Sequence, residues 1–189
     1  MGGSVQYWRR VGLDFLRESR VKVTVLNIVE TELKLGPSEP DLFVARVGDG
    51  CDLSDMADGQ FDLVHSNSVI EHVGNWARMK QFAAETRRVG RSYYVQTPYY
   101  WFPVDPHYYR FPMIHWLPRP LQARLLTRFP IASAGRVRSL DAALRVLDGT
   151  QLLDRRQLEI AFPDATLVRE RVAGLTKSLI AIRKEPAAG

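Results

Sequence analysis

The side chains best placed to do chemistry fall in a few short runs of this 189-residue chain. In FDLVHSNSVIEHV, residues 61–73, an apolar run ends in Ser66, Asn67 and Ser68 and is followed by the Glu71-His72 pair. In Asp105-Pro106-His107 an imidazole, which titrates near neutrality, stands beside a carboxylate able to orient it, and Pro106 stiffens the link. That arrangement suits general-base work, the removal of a proton from a reacting group. A rigid turn holding a hydrogen-bonded histidine is the plainer reading of the same residues. Asn27 and Glu30 close another apolar run with acceptors of the kind that hold ribose hydroxyls, though either also suits an ordinary polar loop. Gly48-Asp49-Gly50 closes a third with the residues of a turn.

These runs need a frame that brings their ends together, and the hydrophobic pattern predicts a parallel sheet with covering helices. Residues 7–18 carry a helical stripe of Trp8, Val11, Phe15 and Leu16. VKVTVLNIV, residues 21–29, is rich in β-branched side chains and reads as a buried strand. Residues 37–41 read as a loop. Further strands are predicted over 42–47, 61–66 and 92–96, the last stopped by Thr97-Pro98. A helix over 76–88 turns Phe82, Ala83 and Val89 inward. The rhythm then breaks, and regular pattern returns with a helix near 153–161. Two antiparallel strands, 165–172 and 177–183, follow through a turn at Ala173-Gly174. Residues 185–189 read as a disordered tail. In open α/β sheets ligands gather outside the carboxyl ends of the strands, where the runs above fall.

Composition narrows the class. With 46% hydrophobic and 25% charged residues, the chain suits one soluble domain, 1–189, with one well-buried core. A single Cys51 excludes an internal disulfide, and no Cys/His cluster has zinc spacing, so a reducing cytoplasm and no metal are expected. No apolar run has the length of a membrane span, the start lacks a signal peptide, and Gln6 does not fit the myristoylation pattern. Net charge is +5, and residues 110–138 hold six arginines (Arg110, Arg119, Arg124, Arg128, Arg136, Arg138) without an Asp or Glu. This is a local positive surface, either a solvated helix face or a contact for an acidic substrate or a membrane headgroup. Nucleic acid is not an expected partner, and no oligomeric state is implied.

The fullest run matches a family pattern in order. Phe61, Asp62, Ser66, Asn67, Glu71 and His72 resemble the fourth motif of the class I S-adenosylmethionine-dependent methyltransferases. Gly48-Asp49-Gly50-Cys51-Asp52-Leu53 is similar to that family's Gly-Asp-Ala segment, and residues 97–112 to a bacterial type 11 subgroup with an acidic residue followed by Pro-His. The resemblance runs from Gly2 to about Lys184. It implies a Rossmann-like, mostly parallel α/β sheet with covering helices and an antiparallel C-terminal strand, and S-adenosylmethionine as cofactor. It places Asp49 and Gly50 beside the adenine, Ser66, Asn67 and Ser68 under the sulfonium and its amino-acid tail, and Val69 and Ile70 against the adenine faces. Gly2 and Gly3 become the end of the glycine-rich first motif, and His65 faces a covering helix. Asn27 stands where the family usually has Asp or Glu, so Glu30 is the alternative ribose acceptor.

A sulfonium methyl is already activated, so catalysis requires in-line positioning and a proton acceptor. His107, oriented by Asp105, is the expected acceptor. Eight of the 19 aromatic residues lie between positions 99 and 116, and residues 99–150 are expected to form a lid that excludes water over an apolar or planar methyl acceptor. The acceptor is expected to be small or lipid-like, of the kind taken by quinone methyltransferases. After Pro120, Leu121, Leu125, Leu126 and Phe129 share a face against Arg124 and Arg128; packing on the sheet is the first expectation, and contact of residues 117–138 with an anionic membrane the second. Two other functions remain open: a catalytically silent binding module, and a nicotinamide oxidoreductase in which residues 61–72 have no role.

The strand that should carry the start of the first motif is missing ahead of Gly2. A sheet without that central strand leaves its neighbours unpaired, at about 1–3 kcal/mol per buried backbone group. The sequence therefore predicts a natural chain extending upstream, with Met1 a GTG valine codon inside an Asp-Val-Gly-Gly-Ser run.

Overall fold

The computed structural model describes residues 1–36, 39, 41–108, 111–132, 135 and 137–185. Pro37, Ser38 and Pro40 of the expected loop, Tyr109 of the aromatic run, Arg110 and Arg136 of the basic run and tail residues 186–189 lie outside the described residues.

The predicted first helix is two. Ser4 caps α1 (Val5–Val11), its hydroxyl accepting from the Tyr7 N–H at 3.3 Å. Gly12, at φ 113°, then breaks the run before α2 (Leu13–Glu18). The break redistributes the stripe: Val5 and Leu16 are buried, whereas Val11 and Phe15 are exposed. β1 (Val23–Asn27) pairs in parallel with β2 (Phe43–Val47), Asn27 opposite Val47. β3 (Phe61–Asn67) leads into α3 (Trp76–Val89), whose cap is Asn75 and whose inward face is Met79, Phe82, Ala83, Thr86 and Val89.

β4 (Gly90–Pro98) outruns its prediction because the returning antiparallel strand pairs with its end, Thr97 opposite Leu179 and Pro98 opposite Ser178. Three helices follow, α4 (Arg119–Arg128), α5 (Leu140–Asp148) and α6 (Arg155–Ala161). The chain closes with the hairpin β5 (Thr166–Val172) and β6 (Leu175–Arg183). Its turn sets Ala173 and Gly174 at φ 50° and 81°, the left-handed pair that a tight hairpin turn demands.

The fold is the expected Rossmann-like α/β arrangement, interrupted at its centre. Among the described residues the strands form two sheets, β1–β2 and β3–β4–β6–β5, with β3–β4 parallel and β6 antiparallel to β4. The facing edges of β1 and β3 are not paired. A cavity of about 800 Å3 separates them, lined by Val23, Val25, Leu63 and His65 among others. Its mouth is bridged: the Met1 amino group donates to the His65 carbonyl at 2.7 Å, and the Gly2 N–H to the Leu26 carbonyl at 2.8 Å. Burial there pushes the Met1 amino group down to about 6.

Burial follows the split. The main core gathers α3, β3, β4, β6 and α6 around Phe82, Tyr93, Val95, Leu158 and Leu179. A smaller cluster of Val5, Leu16, Val25 and Phe43 lies against β1–β2. A third joins Tyr108, Ile114, Ala123, Leu126 and Leu147. This third cluster corrects two expectations. α5 was not foreseen, and α4 packs on α5 rather than on the sheet, burying Gln122, Ala123 and Leu126 while Leu121 and Phe129 stay exposed.

Candidate functional site

The carboxyl ends of β1, β2 and β3 carry most of the expected donor residues to one rim. The Asn27 side-chain amide donates to the Gly3 carbonyl at 2.9 Å, and its oxygen accepts from the Val29 N–H at 2.9 Å. Gly2 lies so close to Val69 that an added Cβ would sit 2.3 Å from the valine methyl, at φ +65°. Gly50 packs on Phe82 and Met1, where a Cβ would meet carbons at 3.0 and 3.1 Å. Gly3 differs from both, since nothing lies within 4 Å of where its side chain would project. Gly2, Gly3, Asn27 and Asn67 line the mouth of the 800 Å3 cavity. The rim thus has open backbone where a cofactor tail can approach.

Other expected donor residues point elsewhere. Asp49 accepts from the Cys51 N–H at 2.9 Å and pairs with Arg78; these contacts hold its carboxyl below the ordinary range. Glu30 is exposed on a one-turn 3-10 helix, Glu30–Leu33. Ser66 turns into the core with its hydroxyl unpartnered, and Ile70 is buried in the main cluster rather than placed against a ligand. His65 does face a covering helix: its Nε2 lies 3.3 Å from the Tyr7 hydroxyl of α1, and its ring stacks on Tyr94.

Asn67 also lines a second cavity, of about 700 Å3, on the other side of the β3 end. Its walls are Ser68, Tyr94 and Gln96 from the sheet and Phe102, Val104 and Pro106 from the aromatic run. Ser68 is held at φ 53° by its N–H to the Gln96 carbonyl at 3.0 Å and its hydroxyl to the Gln96 side chain at 3.1 Å. Asn67 therefore borders both cavities, and Ser68 the second.

Beside Pro106 stands the Asp105-His107 pair. Asp105 is buried, and one of its oxygens accepts both the His107 backbone N–H at 2.8 Å and the ring Nδ1–H at 2.7 Å. A carboxylate acceptor on Nδ1 assigns the proton to that nitrogen and leaves Nε2 as the base. Sequence reasoning kept this pair apart from Glu71-His72, yet His107 Nε2 lies 3.0 Å from His72 Nε2. The Glu71 carboxylate is buried beneath them, with Thr97 donating to one oxygen at 2.9 Å. Thirty-five positions separate the two histidines, so no local spacing reveals the cluster. The only signal was topological, since Glu71-His72 and Asp105-His107 follow the carboxyl ends of paired parallel strands.

Residues 6–92 match the model of a methyltransferase domain family. No curated protein matches the sequence. Among solved structures, the chain is similar to the PH0226 protein of Pyrococcus horikoshii OT3, at 20% identity and a TM-score of 0.50, over 90% of this chain and 75% of that one. It is similar to the N-terminal domain of EvdMO1 with SAH bound, at 18% identity and 0.50, over 92% and 70%. It is also similar to a putative Zn-dependent alcohol dehydrogenase of Rhodobacter sphaeroides, at 12% identity and 0.51, over 95% and 81%. At these identities the likeness is one of fold. The chain spans 58% and 54% of the length of two further similar structures.

Proposed function

We propose that this chain, whose residues 6–92 match a methyltransferase domain family, is a class I methyltransferase that moves the methyl group of S-adenosylmethionine to a small or lipid-like acceptor in a reducing cytoplasm. The observation that carries the reading is Asn67, which lines both the cavity with the Gly3 rim and the aromatic-walled cavity. A donor seated at Gly2, Gly3 and Asn67 would face an acceptor held by Phe102, Val104 and Pro106. His107, oriented by Asp105, takes the acceptor's proton as the sulfonium methyl is transferred.

The lid, residues 99–150, supports an apolar acceptor in a further way. On α4 the exposed face carries Leu121 and Phe129 with Arg124 and Arg128, a combination fit for an anionic lipid surface. No helix among the described residues is long and apolar enough to cross a membrane. A peripheral contact through residues 117–138 would bring a lipid-like acceptor to the lid.

A second reading has one specific observation in its favour. The Asn27 side chain already serves Gly3 and Val29, and Asp49 serves Cys51 and Arg78, so a module that holds the cofactor weakly or not at all fits those two positions. Calorimetric titration with S-adenosylmethionine separates the readings. The expected result is saturable binding, lost in Gly3→Leu, whose side chain enters open space and so spares the fold. Absence of heat in the unaltered protein favours the module. His107→Ala is expected to abolish methyl transfer to a screened acceptor while cofactor affinity holds; unchanged turnover removes His107 as the base.

A further inference from the structure

We propose that Glu71, His72 and His107, the last of them the proposed proton acceptor, bind one divalent cation of the zinc class. The geometry begins with the two facing imidazoles. His72 Nδ1 lies 2.8 Å from the Gly149 carbonyl, which only accepts, so that nitrogen carries the proton. His107 Nδ1 is protonated in the same way by its contact with Asp105. Both Nε2 atoms then present lone pairs to each other at 3.0 Å. Two lone pairs at that distance repel unless a proton or a metal ion lies between them. An outer acceptor on Nδ1 is what holds metal-binding histidines in the correct tautomer.

The third ligand is independent evidence. Glu71 is fully buried, one carboxylate oxygen takes the Thr97 hydroxyl, and the other has no hydrogen-bond partner. Donor atoms of Glu71, His72 and His107 all lie within 4.8 Å of one another. A tetrahedral site with bonds of about 2.0–2.1 Å has edges of about 3.3 Å, so small side-chain rotations close the set. Two imidazoles and one carboxylate form a donor set used by zinc and related ions, with a position left open. Because His72 is exposed, that position faces solvent.

Binding of the ion stands apart from methyl transfer; its use in transfer rests on the function proposed above. With the ion present, His107 Nε2 is a ligand rather than the base. An acceptor hydroxyl in the open position would be acidified there, lose its proton to water and form its new O–CH3 bond as the donor's S–CH3 bond breaks.

The test is titration of the purified full chain with ZnCl2, with no cofactor present, together with the absorption spectrum of the Co2+ form. One equivalent is expected to bind, with affinity falling at least tenfold in His72→Ala and in Glu71→Gln. The expected Co2+ d–d bands vanish in the same variants, while His115→Ala, outside the cluster, binds as the unaltered protein does. Circular dichroism melts confirm that each variant is folded. No binding in the unaltered protein, or binding undiminished in folded His72→Ala, overturns the proposal. Because S-adenosylmethionine affinity is measured separately, loss of one result leaves the other standing.

Discussion

The two halves of the interrupted sheet end in opposite conditions, and the one with the more apolar strands, β1–β2, is not the better buried. In β4 and β6, Tyr93, Val95, Leu179 and Ala181 are buried at 0–1% exposure, with a neighbouring strand on each edge. In β2, Val44 and Val47 remain 48% and 58% exposed, and Leu63 on the cavity edge of β3 is 56% exposed. Sequence hydrophobicity is therefore necessary for a buried strand but not sufficient. Burial comes from neighbours: β2 is the outer strand of its pair, whereas β1, beside the gap, keeps Val23, Val25 and Leu26 buried, Val23 and Val25 in one cluster with Val5 and Leu16 of the first two helices. Leu26 of β1 reaches the main core, and the small cluster holds the other buried side chains of that half.

The comparison is tested most strongly by matched core deletions. Phe82 and Phe43 are both buried, in the main and the small cluster respectively. Phe82→Ala is expected to lower the global unfolding free energy by about 3–5 kcal/mol, read from the denaturant midpoint. Phe43→Ala is expected to move that midpoint by far less, and instead to speed amide exchange across β1 and β2 as a local opening. Equal losses in one coincident transition would break the comparison and make the two sheets a single cooperative unit.

A smaller effect sharpens the seam. His65 sits at the edge of β3, between α1 and Tyr94, and its imidazole is pushed down to about 4, by burial first and by the Met1 ammonium second. The unfolded chain takes up this proton near pH 6.5, whereas the folded protein resists it down to about pH 4. The unfolded state thus binds more protons within that window, and stability falls as pH is lowered through it. Melting temperature is expected to drop between pH 7 and pH 5, with a shallower drop in His65→Gln. An identical drop in that variant would assign the acid sensitivity elsewhere.

Much of this was legible in the sequence, for reasons that also mark where legibility ended. Strands β1 to β4 announce themselves as β-branched or apolar runs, and position at their carboxyl ends singles out Asn27 and Asn67, whereas Gly2 and Gly3 were named only through the family resemblance. The Ala173-Gly174 hairpin is visible because tight turns require particular residues. Helix α5 has an amphipathic pattern and a Ser139 cap that were there to be read; it was missed because it lies in the stretch read as irregular. Gly12 sits mid-stripe and left no sign that it would divide one helix into two. The meeting of His72 with His107 was invisible because it depends on two loops sharing an edge of the sheet, a long-range property without a local pattern.

The last and smallest test uses the same capping chemistry on both sides of the seam. Asp154 caps α6 with a full box, its carboxylate accepting from the Gln157 N–H at 2.8 Å and the Gln157 side chain from the Asp154 N–H at 2.9 Å. Since α6 packs on α3 and buries Leu158 in the main core, loosening its first turn strains the half that unfolds globally. Asp154→Ala is expected to cost about 1 kcal/mol of global stability. Ser4 makes the equivalent single-bond cap on α1, whose buried Val5 belongs to the small cluster. If β1–β2 and its helices open independently, Ser4→Ala leaves the global denaturant midpoint where it was and increases exchange only in α1, β1 and β2. A shared loss of midpoint in both variants would show that Met1 and Gly2, through their two hydrogen bonds at the mouth of the gap, are enough to couple the halves.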